Sequence, residues 1–164
     1  YVTQESVMYS GTIRQNLLYG LDRTPDDQEL DRVCEAVGIL DFVREQPEGY
    51  DTPVGEAGAS LSGGQRQRFS VARALLQKSD ILLLDEATAA MDISGKDCVW
   101  KSIRTLMAGK TVVYVAHDAQ TLQNADWILV LEHGTVTAAG DRQTVMQQSA
   151  FCREMMDLKG GASA

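Results

Sequence analysis

Four consecutive large aliphatic residues, Ile81 to Leu84, stand between Asp80 and the acid pair Asp85-Glu86. A short unbroken apolar run is how a strand buried on both faces of a parallel sheet reads. TVVYVAHD, residues 111–118, is a second run of this kind. Between the two, Asp92 is placed to cap a helix from Ile93 to Met107. Strand, helix and strand in that order predict an α/β fold.

The rest of the chain carries clear punctuation. YVTQ at the start reads as the end of a strand running into a loop. Thr12 to Gly20 reads as a short helix closed by glycine. The next helix has Thr24 as N-cap, Pro25 at its first position, acids in its first turn and Gly38 at its end. Leu30, Val33 and Val37 give it an apolar stripe. A short helix over Ile39 to Glu45 and a Pro- and Gly-rich loop from Pro47 to Ala59 follow. Ser62 to Lys78 reads as a helix that buries Phe69, Ala72, Leu75 and Leu76. DWILVLEHGTVTAAG predicts a hairpin turning at His133-Gly134, and helices near 141–148 and 149–158 complete the pattern. The reading is one domain over 1–164, with a helical subdomain at about 11–78. Residues 1–10 and 79–158 form its α/β core, and 159–164 a frayed tail.

Composition narrows the function classes. A chain of 164 residues with 44% hydrophobic content suits one domain with a sizeable core. The net charge of -8 repels nucleic acid, and the only dense basic group is Arg66, Arg68 and Arg73. Cys34, Cys98 and Cys152 are far apart and lack metal-ligand spacing, so they read as reduced thiols. No stretch has the apolar length of a membrane-spanning helix, and no signal peptide precedes the fold. The chain opens on Tyr1, already within an apolar-polar stretch, so an upstream segment is expected.

Several residues point to phosphate chemistry, each with a plainer alternative. Asp85 and Glu86 end a buried strand, where open α/β sheets place their ligands. Asp85 suits Mg2+, directly or through water, and Glu86 suits a water attacking a γ-phosphate. The alternative is two acids that merely end a strand at the surface. His117 ends the next strand and either touches a γ-phosphate or is an ordinary satisfied histidine. Gln4 is either a ligand of Mg2+ or water, or a polar loop residue. LSGGQ, residues 61–65, is either an anion site at a helix N-terminus or a glycine-rich turn with Ser62 as N-cap. A phosphate loop GxxxxGK[ST] is missing: Gly109-Lys110-Thr111 has Arg104 where the first glycine belongs, and a strand follows it. Lys110 therefore reads as a solvated loop lysine.

In order and spacing these pieces resemble the nucleotide-binding domain of ABC transporters, particularly the exporter type, from Tyr1 to about Leu158. YVTQESVMYSGTIRQNLLYG is similar to the family's Q-loop segment, and TPVGEAGASLSGGQRQRFSVARALL to its X-loop and signature. ILLLDEATAAMD resembles Walker B, the catalytic glutamate and the D-loop, and VVYVAHD the switch-histidine strand. The family's early strands, its adenine-stacking aromatic residue and Walker A have no counterpart here. The D-loop reads AAMD where SALD is commoner, and Asp118 adds negative charge beside His117.

The resemblance implies a P-loop NTPase-like fold and an ATPase that couples ATP hydrolysis to transport. Two such domains, identical or different, pair head to tail around two ATP molecules. Ser62, Gly63, Gly64, Gln65 and Asp92 then serve the partner domain's ATP and the interface. Asp85 and Gln4 serve Mg2+, while Glu86, His117 and Gln4 are catalytic. Glu56 in the X-loop contacts a transmembrane domain. It further implies a soluble segment at the cytoplasmic face of the cell membrane, without a nucleic-acid partner, and inactive and poorly stable in isolation. A short module that only lends its LSGGQ to a partner ATPase is the alternative, weighed against by a first residue inside a core strand. A soluble ABC ATPase of DNA repair or translation is disfavoured by the acidic balance and the X-loop.

Overall fold

The computed structural model describes residues 1–157, in two compact units that divide after Val115. In the first unit the helices are α1 (Ile13–Leu18), α2 (Asp27–Ala36), α3 (Leu40–Arg44), α4 (Gly63–Leu76) and α5 (Ile93–Leu106). Its strands are β1 (Ile81–Asp85) and β2 (Thr111–Val115). They pair in parallel, Ile81 opposite Thr111 through Asp85 opposite Val115. The other edge of β1 holds Val2, whose N–H donates to Leu83 O at 2.8 Å and whose carbonyl accepts from Asp85 N at 2.9 Å. That pairing anchors the segment carrying Gln4 beside the end of β1.

The sheet departs from the expected burial. Leu82, Leu84 and Val2 join side chains of α4 and α5 in one hydrophobic core. Ile81 and Leu83 are 59% and 41% exposed, and Val113 and Val115 on the same face are also exposed. Among the described residues of this unit helices cover one face of this sheet only. An apolar run cannot say which of its faces will find a cover.

Local chemistry explains the helix starts. Thr12 and Gln15 form a reciprocal capping box on α1, and Ser62 and Gln65 do so on α4. Asp92 accepts from Gly95 N, as its position before α5 predicts. α2 begins later than expected. Asp26, not Thr24, is its N-cap, accepting from Glu29 N at 2.8 Å. Of the two candidates it is Asp26 that stands three residues before that amide, and its carboxylate carries charge to the helix's positive end. Gly38 closes α2 at φ 71, a left-handed conformation that favours glycine. The loop after α3 makes two single turns, Gly49–Asp51 and Glu56–Gly58, and pairs with residues 11–13 through Ile13 N to Thr52 O and Val54 N to Gly11 O.

The basic cluster is spent inside the fold. Arg66 donates to Leu61 O, Arg68 to Val37 O and Gly38 O, and Arg73 to Asn16 O at 2.7 Å and to Val7 O. Lys110 is likewise no solvated loop lysine. Its ammonium donates to Lys78 O and Ser79 O, closing the turn between α4 and β1.

The second unit is built on β3 (Ile128–Glu132) and β4 (Thr135–Gly140), an antiparallel hairpin. Its turn falls at His133-Gly134 as expected, with both residues at positive φ, as a tight hairpin turn requires. A four-residue helix, α6 (Ala119–Leu122), precedes it and was not anticipated. Asp118 caps α6 by accepting from Thr121 N. α7 (Arg142–Gln148) starts on its cap Asp141 and α8 (Ala150–Asp157) follows. Leu122, Ile128, Val130, Ala138, Val145 and Cys152 form this unit's core. Leu158, expected to end the last helix, and the expected frayed tail at 159–164 lie outside the described residues.

Candidate functional site

Three of the anticipated residues meet at the carboxyl end of β1. Gln4 Nε2 donates to Glu86 Oε2 at 2.9 Å, and the Tyr1 hydroxyl donates to Asp85 Oδ2 at 3.2 Å. Glu86 leaves the strand at φ 48, one of three residues other than glycine with positive φ among those described. Such a conformation costs on the order of 1–3 kcal/mol and persists where neighbours hold it. It turns the chain sharply at Glu86, so that Asp85 continues the strand while Glu86 meets Gln4.

A residue that touches both ends of this turn escaped the sequence reading. Gln67 of α4 accepts from Ala90 N at 2.8 Å and reaches Glu86 O at 3.5 Å. A glutamine within a helix carries no spacing signal of its own, and only its place on the buried face of α4 set it apart.

The LSGGQ segment forms a second locus. Ser62, Gly63, Gly64 and Gln65 line an open cleft of about 490 Å³ together with Arg68 and Asp92. The capping box engages the amides of Ser62 and Gln65. The amides of Gly63 and Gly64, at the first two helical positions, have no partner among the described residues, as helix geometry dictates. They supply the unpaired donors and partial positive charge that suit an anion. Gly64 also permits close packing, since a Cβ there would lie 3.3 Å from Ala90 O. Arg68 crosses the cleft floor, its guanidinium 3.9 Å from the Asp92 carboxylate. The Ser94 hydroxyl, then the Gly95 amide, hold the Asp92 carboxyl below its ordinary range.

Glu56 and His117 are placed by other elements. Glu56 is exposed on the single turn after Gly55, and no hydrogen bond joins it to Gln4, Asp85 or Glu86 among the described residues. That turn packs against the segment after Gln4: a Cβ on Gly58 would meet Met8 at 2.9 Å. His117 is exposed in the second unit, just before α6. The Asp118 charge beside it is directed to the α6 cap.

The donor set fits magnesium. No group of three metal-ligating side chains exists among the described residues. Mg2+ asks for little more than one or two protein oxygens, the rest coming from water and phosphate. The Asp85 carboxylate and the Gln4 carbonyl oxygen are such donors, and the bond from Gln4 Nε2 to Glu86 leaves that oxygen as the free end of the amide.

No helix among the described residues is long and apolar enough to cross a membrane. Residues 1–89 match the family described as ABC transporter. The chain is 45% identical over 145 residues to the ABC transporter BEA3 of Gibberella fujikuroi, covering 88% of this chain and 11% of that protein. It is 38% identical over 163 residues to the ATP-dependent lipid A-core flippase of Pseudoalteromonas translucida, covering 97% of this chain and 28% of that one. Its fold matches a bacterial Atm1-family ABC exporter with ATP bound at a TM-score of 0.87 and 35% identity, over 99% of this chain and 28% of the exporter. The chain thus spans between about a tenth and three-tenths of the proteins it matches. A parallel strand ending in Asp85-Glu86, a helix opening on LSGGQ and these likenesses together place the chain in the ABC transporter family, as part of an exporter-type ATP-binding domain.

Proposed function

We propose that this chain is the part of an exporter's ATPase that completes two nucleotide sites, coupling ATP hydrolysis to transport across a membrane. The observation that carries the reading is the Gln4–Glu86 hydrogen bond at the end of β1. It joins the acid suited to activating water with the amide whose oxygen suits Mg2+. Mg2+, when bound, neutralises charge on the phosphates. Glu86 takes a proton from the attacking water and Gln4 orients the Glu86 carboxylate. Asp85 and the Gln4 oxygen hold the metal. His117 touches the γ-phosphate and stabilises the charge that develops there.

The LSGGQ cleft serves a different nucleotide. Ser62, Gly63, Gly64 and Gln65 hold the phosphates of ATP bound to a second, head-to-tail ABC domain, and Asp92 lies at that interface. The free amides at the start of α4 support this assignment. Glu56 transmits closure to a transmembrane domain at the cytoplasmic face of the membrane. In this reading residues 11–78 act as a helical subdomain beside an α/β core of 1–10 and 79–158.

The test is Glu86→Gln in the intact transporter. ATP turnover is expected to fall by about 100-fold or more while MgATP still binds. Turnover near the wild-type rate removes Glu86 from the mechanism.

A further inference from the structure

Gln67 is a buried primary amide, 5% exposed, on the helix that opens with LSGGQ. A buried amide satisfies both its oxygen and its nitrogen. The 2.8 Å bond from Ala90 N identifies the oxygen end, so Nε2 faces the carbonyl of Glu86. Between those two points the chain makes a tight turn, with Ala89 N donating to Glu86 O at 3.0 Å and Met91 N to Thr88 O at 3.1 Å. One side chain from α4 therefore spans the turn, bonded to its far end and facing the carbonyl at its near end. The near end is Glu86, at φ 48. An L residue stays in that region only when its surroundings hold it. Gly64, one turn earlier on α4, lets the helix lie close enough for the reach.

We propose that Gln67 is a positioning residue for Glu86: by spanning Ala90 N and Glu86 O it holds the left-handed turn that aims the Glu86 carboxylate at Gln4. The inference rests on the reading of Glu86 as the acid that activates water. Without Gln67 the turn relaxes toward ordinary φ, and the Glu86 carboxylate swings away from Gln4.

The test compares variants in the intact transporter. Gln67→Met keeps length and volume and removes both polar groups. Its kcat for ATP is expected to fall tenfold or more, toward the roughly 100-fold that a misplaced catalytic group can cost. KM stays within about twofold, because nucleotide binding is untouched. Gln67→Glu keeps the acceptor for Ala90 N and is expected to recover part of the rate. Should Gln67→Met fail to assemble, Gln67→Glu carries the same comparison, with a lowered kcat at unchanged KM. The double variant Gln67→Met/Glu86→Gln turns over no more slowly than Glu86→Gln alone, because both changes act through one carboxylate. Wild-type kcat in Gln67→Met alongside an inactive Glu86→Gln overturns the inference and leaves Glu86 in place. So does a fall that lies wholly in KM, or additive losses in the double variant. Wild-type turnover in Glu86→Gln overturns the underlying reading and this inference with it, and it is seen in that variant alone.

Discussion

Gln4 and Glu86, 82 positions apart, are joined by a 2.9 Å hydrogen bond from the Gln4 amide nitrogen to the Glu86 carboxylate. The bond exists because Val2 is zipped to β1 two residues earlier, which leaves Gln4 little freedom to wander. Truncating Gln4 to alanine removes this bond to the carboxylate and an oxygen suited to Mg2+. Gln4→Ala in the intact transporter is expected to lower ATP turnover on the order of tenfold or more. Phosphate release measured across MgATP and Mg2+ concentrations checks this, and a rate unchanged at saturating Mg2+ would refute it.

Gly95→Ala tests which of two opposed effects wins. Gly95 lies in the first turn of α5, where alanine ordinarily favours a helix by about 1 kcal/mol. Here a Cβ would stand 2.4 Å from the Arg68 guanidinium and 2.7 Å from Asp92 Oδ1. Arg68 cannot retreat without loosening its 2.9 Å bonds to Val37 O and Gly38 O at the end of α2. Those charge-assisted bonds are worth about 1.5–3 kcal/mol each, more than the propensity gain. Gly95→Ala is therefore expected to destabilise the fold by about 1–2 kcal/mol. A urea-unfolding midpoint that rises instead would show that Arg68 moves aside freely.

Two of the helix starts and the placing of two acids at a strand end were readable in the sequence, because both are local, whereas α2 starts on Asp26 and not on the expected Thr24. Ser62 and Asp92 precede their helices by the spacing that a cap needs, and the structure shows each in that role. Asp85 and Glu86 were legible as acids at a strand end for the same reason. What is built by distant contacts was not legible. Four aliphatic residues in a row hid the difference between Leu82 and Leu84, which are covered, and Ile81 and Leu83, which are not. Arg66, Arg68 and Arg73 looked like a surface patch because nothing in their spacing reveals the carbonyls waiting for them. Lys110 was misread likewise. Gln67 was silent for the deeper reason that its role depends on a backbone turn 19 positions away.

Ser62 has a structural role separable from any ligand. Its hydroxyl accepts from Gln65 N, and the Gln65 side chain returns the bond to Ser62 N. Ser62→Ala is expected to cost about 1 kcal/mol of stability, and Ser62→Asp to restore it through a carboxylate at the helix's positive end. The same aspartate opposes a phosphate at the LSGGQ cleft. Stability recovered by Ser62→Asp without recovered ATP turnover would separate the two roles. Recovery of both would place the phosphate elsewhere.

Glu29 governs a share of the acid stability. Bonds from the Arg23 guanidinium and then the Lys78 ammonium hold its carboxyl at about 2, down from 4.5. The folded value lies below the unfolded one. The stabilisation is therefore fully present above pH 4.5 and is lost as pH falls from there toward 2. Arg23 and Lys78 are 37% and 58% exposed, so solvent screens the pair, and the net effect at pH 7 is about 1 kcal/mol rather than the larger figure the shift alone implies. Glu29→Gln should lower the urea midpoint at pH 7 and leave it much closer to wild type at pH 2, where the wild-type carboxyl in the folded protein is about half protonated and most of the charge contribution is gone. Circular dichroism at a series of pH values gives the comparison. A gap between the two proteins that stays constant from pH 7 to pH 2 would mean that Glu29 contributes by packing and not by charge.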